Sequence, residues 1–237
     1  TITATDIDGG STDNCSLGTI TASQTSFSCA DIGDNTITLT VTDEGGKSST
    51  CDAIVTVTDS ILPVAVCQNI SIYLDGSGNA SIVAADIDGG SSDNCGVAGL
   101  SASITDFTCV DVGTNNVTLT VDDGNGNTAD CVAVVMVNDT VSPVAVCQNI
   151  TIYLDGLGIA SIVAADIDGG STDNCGDISL SASRTDFTCS EIGANNVTLT
   201  VDDNNGNTSD CVAVVTVLDT TSPVVVCQDI DIYLDGS

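Results

Sequence analysis

Apolar and polar residues alternate along much of this chain. Ile70, Ile72 and Leu74 are separated by polar neighbours, and Val117, Leu119 and Val121 are separated by threonines. A period of two puts alternate side chains on opposite faces of an extended backbone, so these runs predict half-buried β-strands. Cys131 to Val137 is apolar at nearly every position. Such a run predicts a strand covered on both faces or lying at the centre of a sandwich. No segment sustains a helical period. Turn formers separate the strands at Asp75-Gly76-Ser77-Gly78, Asp88-Gly89-Gly90-Ser91, Gly113-Thr114-Asn115-Asn116 and Asp123-Gly124-Asn125-Gly126. About six or seven short strands per unit predict an all-β, immunoglobulin-like β-sandwich.

The pattern repeats. Cys67-Gln68-Asn69-Ile70 returns at Cys147 and, as Cys-Gln-Asp-Ile, at Cys227, a period of 80 residues. Asp6-Ile7-Asp8-Gly9-Gly10 returns at Asp86 and Asp166, and Val117–Val121 returns at Val197–Val201. A fixed period of this size is the mark of a tandem array. Asp, Ser/Thr and Pro cluster at Asp59–Pro63, Asp139–Pro143 and Asp219–Pro223. These short, Pro-stiffened linkers predict an extended rod with boundaries at 1–59, 60–139, 140–219 and 220–237.

The ends are out of phase with the repeat. Thr1 aligns with Ser81, so 1–59 lacks the opening strands, whereas 220–237 matches the opening strands at 60–77. Adding the three residues equivalent to Gly78, Asn79 and Ala80 would complete three whole periods. Two readings follow. The chain is a window on a longer polypeptide, or its tail, Val224 to Leu234, completes the first repeat of another molecule by strand addition. Both readings pair Cys51 with a cysteine equivalent to Cys227.

Composition narrows the chemistry. Of 237 residues 42% are apolar, enough for sizeable cores. Asp and Glu number 33 against two basic residues, Lys47 and Arg184, for a net charge of −31. That field makes nucleic acid and anionic membrane poor partners. Ca²⁺ is the natural counter-charge; the alternative is a solvated acidic surface that promotes solubility. Twelve cysteines without a single histidine read as disulfides in an oxidising compartment, not as zinc or redox sites. No apolar run reaches membrane-spanning length, and no basic-then-apolar leader precedes Thr1, which reads as mature or excerpted material. Histidine is absent and Lys47 and Arg184 are the only basic side chains; carboxylate pairs occur, but on turns repeated in every unit, so no enzyme is expected.

The sharpest cation candidate is Asp86-x-Asp88-Gly-Gly-Ser-x-Asp93, repeated as Asp6, Asp8, Asp13 and as Asp166, Asp168, Asp173. Asp alternating with Gly lets a tight loop aim several carboxylates inward. The alternative is a turn whose Asp side chains bond the backbone. Asp122, Asp123 and Asp130, with Asp202, Asp203 and Asp210, form a second such cluster, or simply a hairpin rich in turn formers. Asp59, Asp139 and Asp219 stand at the junctions, where a bridging cation would stiffen the rod; linker aspartates otherwise face solvent.

The run Asp93-Asn-Cys-Gly, Phe107-Thr-Cys, Val117-Thr-Leu-Thr-Val-Asp-Asp, Gly126-Asn-Thr and Asp130-Cys-Val-Ala-Val-Val resembles hyalin-type (HYR-like) immunoglobulin-fold repeats over essentially the whole chain. The resemblance implies a large secreted protein of the bacterial cell surface, with an adhesive or surface-layer role and no catalysis. Asp-Ser/Thr pairs at Ser60, Thr140 and Thr220 resemble O-glycosylation acceptors of the same bacterial group; the alternative is a plain linker.

Four cysteines per complete repeat allow three connectivities. The reading favoured pairs Cys95 with Cys109, closing a local loop, and Cys67 with Cys131, tying the opening strand to the closing one. By repetition Cys15 pairs with Cys29, Cys175 with Cys189 and Cys147 with Cys211. The functional expectation is a structural segment of an extracellular filament or adhesin stalk, joined head to tail to itself. The competing expectation is a dedicated adhesive module that binds a host or surface receptor, protein or glycan, through its loops.

Overall fold

In the first repeat, strand formers between turn residues give β1 (Leu17–Ala22), β2 (Gly33–Asp43) and β3 (Ser48–Val57). The second gives β4 (Ile70–Tyr73), β5 (Asn79–Ser81), β6 (Gly99–Ala102), β7 (Asp106–Thr108), β8 (Gly113–Asp122) and β9 (Thr128–Asn138). The third gives β10 (Ile150–Tyr153), β11 (Ile159–Ser161), β12 (Ser179–Ala182), β13 (Asp186–Thr188), β14 (Gly193–Asp202) and β15 (Thr208–Leu218). These assignments come from a computed structural model that describes residues 1–233. Leu234, the last residue of the predicted donor strand, lies outside the described residues. The chain is an all-β tandem array of immunoglobulin-like β-sandwich repeats.

Two compact units form. One comprises Thr1–Ser71, Ser81–Asp106 and Thr114–Met136; the other comprises Ile72–Ala80, Phe107–Gly113 and the chain from Val137 onward.

In the second unit the third repeat shows the architecture most fully. One sheet runs β10-β15-β14-β12 and a two-stranded sheet pairs β11 with β13. β14 is antiparallel to β12 and β15, while β10 lies parallel to β15, with Ile150 opposite Val215 and Ile152 opposite Val217. Threonine alternation turns Val197, Leu199 and Val201 inward, and each is 0% exposed. They pack with Ile162, Ile167, Phe187, Ala213, Val215 and Val217 in one core. Burying a side chain of this size stabilises by roughly 1.5–3 kcal/mol. The apolar run at the third repeat's Cys211–Val217 is a central strand, but it is not covered on both faces: Val212 is 56% exposed beside a fully buried Ala213.

In the first unit, the first repeat makes a three-stranded sheet, β1-β2-β3, in which Ile37 and Leu39 are buried. β3 has no strand on its far edge among the described residues. Ala53, Val55 and Val57, which correspond to the fully buried Ala213, Val215 and Val217, are only half-buried. Phe27 and Ile7 are likewise half-buried, whereas Phe187 and Ile167 are sealed.

Cys67 joins Cys131 and Cys147 joins Cys211, with Cα atoms 5.8 Å apart in both pairs. Each ties the opening segment of a repeat to its closing strand. The predicted local bridges do not form. Cys95 pairs with Cys29, and Cys109 with Cys175, with Cα separations of 5.3 Å. The reason is spatial: Cys95 sits beside Asp59 of the preceding linker, and Cys109 Sγ lies 3.8 Å from the carbonyl oxygen of Asn174 in the following repeat. Each of these cysteines therefore meets a partner in the neighbouring repeat. Cys15, Cys51, Cys189 and Cys227 are exposed thiols, so the expected Cys15–Cys29 and Cys175–Cys189 bridges are corrected with the others.

Candidate cation sites at the repeat junctions

The predicted acidic loops separate into two kinds. Carboxylates of the first kind are occupied by local hydrogen bonds. The Val83 and Val163 amides donate to Asp86 and Asp166 Oδ2 at 2.8 Å, and the Thr3 amide to Asp6 Oδ2 at 2.7 Å. Each bond closes a short 3₁₀ turn. The Ser91 and Ser171 amides donate to Asp88 and Asp168 at 2.9 Å, and the Ser11 amide to Asp8 at 3.0 Å. The serine hydroxyl is the main cause holding Asp88 and Asp168 below the ordinary carboxylate pKa.

The hairpin clusters are bonded in the same way. Asp203 Oδ1 accepts from the Asn205 and Asn207 amides at 2.8 and 2.9 Å, and its Oδ2 from Asn207 Nδ2 at 2.6 Å. Asp123 repeats this with Asn125 and Asn127. Burial acts to raise both pKa values, but these hydrogen bonds outweigh it and hold them low. Asp122 and Asp202 accept from the amides of Gly124 and Asn204 at 2.7 Å. Asp130 and Asp210 accept from the hydroxyls of Thr120 and Thr200 at 2.6 Å.

The second kind gathers at the junctions. Asp139, just beyond β9, is 6% exposed. Its Oδ1 accepts from the Val141 amide at 3.1 Å and from Asn174 Nδ2 at 3.4 Å, and Asn207 Nδ2 donates to its carbonyl at 3.2 Å. Asp173 Oδ2 accepts from the Cys175 amide at 2.8 Å. The remaining oxygens, Asp139 Oδ2, Asp173 Oδ1 and Asn174 Oδ1, are buried without hydrogen-bond partners. Carboxylate oxygens of Asp139 and Asp173 lie within 4.8 Å of one another.

Asp59 and Asp93 repeat the arrangement in the first unit. Asp59 is 9% exposed, its Oδ1 accepts from the Ile61 amide at 3.1 Å, and Asn127 Nδ2 donates to its carbonyl at 3.3 Å. Asp59 Oδ2 and Asp93 Oδ1 are again buried and unpartnered. Asp13 in the first repeat accepts from the Cys15 amide at 2.8 Å, as Asp93 does from Cys95 at 2.7 Å.

Two carboxylates this close, each with a buried oxygen that has no hydrogen-bond partner, repel each other and lose hydration, a cost of several kcal/mol unless a cation offsets it. The cysteine sulfur near each pair is locked in a disulfide and offers no thiolate. Only oxygen donors remain, which fits a hard cation such as Ca²⁺ and disfavours zinc. Thus Asp93 and Asp173 of the predicted set come together with the linker aspartates Asp59 and Asp139. They do not gather with Asp86 and Asp88 or with Asp166 and Asp168 in any close carboxylate group among the described residues. Burial of the linker carboxylates is a property of the fold and left no signal in the local sequence.

No protein-family model matches the chain, and no curated protein matches it. Among solved structures it is similar to a three-immunoglobulin-domain fragment of titin, at 10% identity and a TM-score of 0.42, covering 78% of this chain and 75% of that one. It is also similar to the first three extracellular cadherin domains of protocadherin gamma C5, at 11% identity and a TM-score of 0.38, covering 79% and 78%. A third similar structure holds cadherin domains 1–4 of protocadherin gamma B7, at 11% identity and a TM-score of 0.35. The chain spans 59% of that structure and 39% of the protocadherin gamma B4 extracellular domain. Identities this low carry no function across. Four disulfides assign the chain to an oxidising, extracellular setting. Among the described residues no helix is long and apolar enough to cross a membrane.

Proposed function

We propose that this chain is a structural segment of an extracellular filament or adhesin stalk on a bacterial surface, built from hyalin-type repeats bounded at 1–59, 60–139, 140–219 and 220–237. Neighbouring repeats are fastened by an inter-repeat disulfide and a Ca²⁺ held between Asp59 and Asp93, or Asp139 and Asp173. The observation that carries the reading is the coincidence of these two devices. The cysteine of each staple, Cys95 or Cys175, follows two residues after a carboxylate with a buried, unpartnered oxygen. A covalent strap and a cation bridge at one junction make sense for a part that bears load.

Copies join head to tail in this reading. The segment from Val224 supplies the opening strands of the first repeat in a second copy, where β3 pairs with no strand on its far edge among the described residues and has a half-buried inner face. Val224, Val226, Ile230 and Ile232 are 76–90% exposed, an apolar surface that strand addition would cover. The linker residues Ser60, Thr140 and Thr220 are exposed, as glycan acceptors must be, and hexose-sized additions in the intact mass of native material test that assignment.

Light scattering on the C15A/C51A/C189A/C227A variant, which keeps the four internal disulfides, in millimolar calcium tests the assembly. The reading expects oligomers that grow with concentration and disappear when residues 224–233 are deleted. A strict monomer at every concentration contradicts it.

A further inference from the structure

The four exposed thiols are distributed by a rule. Each inter-repeat staple joins a cysteine that opens a 3₁₀ turn, Cys29 or Cys109, to one lying 66 residues later, Cys95 or Cys175. Each intra-repeat bridge spans 64 residues, as in Cys67–Cys131 and Cys147–Cys211. Cys189 is the next staple cysteine of the first kind, and Cys15 is a staple cysteine of the second kind; both are exposed thiols.

Both half-sites are already shaped for bonding. Thr188 donates its amide to Glu191 at 2.8 Å and closes the turn that Cys189 opens, as Thr108 does with Asp111 for Cys109. A Cβ on Gly158 would come within 2.6 Å of Cys189 Sγ, and one on Gly78 within 2.5 Å of Cys109 Sγ. Both glycines have positive φ, +76° and +74°, so the close approach is the same in the bonded and the free case. At the other half-site, Asp13 holds the Cys15 amide as Asp93 and Asp173 hold those of Cys95 and Cys175.

We infer that Cys189 of one copy and Cys15 of the next form an intermolecular staple. This rests on the head-to-tail reading above, because the occupant is a second copy of this chain seated through its first repeat. The geometry of that seat is on display within the third repeat. There Val144 bridges Thr172, Cys147 bridges Asp168, and Ile150–Tyr153 pairs with β15. Transposed by the repeat, Val224 meets Thr12, Cys227 meets Asp8 and Cys51, and the following residues pair with β3. A groove of about 330 Å³ lined by Thr12, Leu17, Leu39, Val41 and Cys51 lies open there in the first repeat. Seating the tail brings Cys189 and Cys15 into the relation of Cys109 and Cys175, and Asp219 into that of Asp139 opposite Asp13. Each contact between copies thus carries two disulfides, Cys227–Cys51 and Cys189–Cys15.

The staple forms by thiol–disulfide exchange with a small disulfide oxidant. Cys189 and Cys15 each give up a proton, one S–S bond forms between them, and the oxidant takes the two electrons as its own S–S bond breaks into two thiols.

The test uses the C51A/C227A variant, which retains Cys15 and Cys189, oxidised with glutathione disulfide in millimolar calcium. A denaturing, non-reducing gel is expected to show a ladder in steps of the 23.7 kDa chain that collapses on reduction, with a cross-linked peptide containing Cys15 and Cys189. Adding C15A should remove every rung. Because the variant itself could weaken seating, the same cross-linked peptide is sought in the oxidised wild-type chain. Oligomers by light scattering with no Cys15–Cys189 peptide in either protein overturn the staple and leave head-to-tail assembly standing. Absence of oligomers in the C15A/C51A/C189A/C227A variant and of any ladder in the oxidised wild-type chain overturns both.

Discussion

Replacing both cysteines of the Cys109–Cys175 staple by alanine removes a loop constraint without emptying the core. The two residues are 66 apart. In the chain-entropy model that closure stabilises by roughly 4 kcal/mol. Cys147–Cys211 already shortcuts part of the path in the unfolded chain, reducing the effective loop to about fifty residues, but the logarithm makes this worth only a few tenths of a kcal/mol. Loss of about 4 kcal/mol lowers the melting temperature of a small domain by roughly 15 °C or more. Urea unfolding of C109A/C175A beside the parent is the assay, with the midpoint read at constant slope. A loss below about 1 kcal/mol, or a non-reduced peptide map of the parent, cleaved at its aspartates, showing Cys95 bonded to Cys109, would refute the reasoning.

Two further outcomes follow from the core and the turns. Phe187→Ala should cost about 3–5 kcal/mol in denaturant unfolding because its ring is fully enclosed; Phe27→Ala, half-buried in the free chain, should cost less, and equal costs would count against an open first repeat. Asp88, Asp168, Asp123 and Asp203 have folded pKa values below the ordinary carboxylate value near 3.9. Their contribution is therefore complete above about pH 4 and is lost as the pH falls through the folded values. The urea midpoint should hold from pH 7 to pH 5 and fall below pH 4, with a smaller acid loss in Ser171→Ala; a midpoint unchanged at pH 3 opposes this.

Strand alternation and the 80-residue period carried the fold plainly in the sequence, because side-chain orientation in a strand is a local property. Cys67 and Cys131 were legible for a related reason: they flank the apolar runs that must pair to close one sandwich. The staples were not. Cys95 and Cys109 are near in sequence, and spacing alone favours joining them, but each belongs to a loop directed at a different neighbouring repeat. The same limit applies to the cation site. Asp93 and Asp173 stood out among glycines and aspartates, and Asp59 and Asp139 stood out at the junctions, but the members of each pair lie 34 residues apart and nothing in the local sequence joined them into one site. Only folding removes those linker carboxylates from water and leaves an oxygen of each unpartnered.

The paired junction carboxylates are the proposed cation site, and calorimetric calcium titration of the oxidised chain tests it most directly. Extracellular modules bind calcium with dissociation constants of about 10⁻⁴–10⁻³ M; at 2 mM free calcium and a constant of about 10⁻⁴ M, one site stabilises its fold by roughly 1.8 kcal/mol. The account predicts that Asp139→Asn with Asp173→Asn abolishes binding at one junction and the matching part of the calcium-induced rise in melting temperature, while Asp168→Asn leaves both unchanged. Calcium binding that survives the first pair of substitutions intact, or is lost with Asp168→Asn instead, contradicts it.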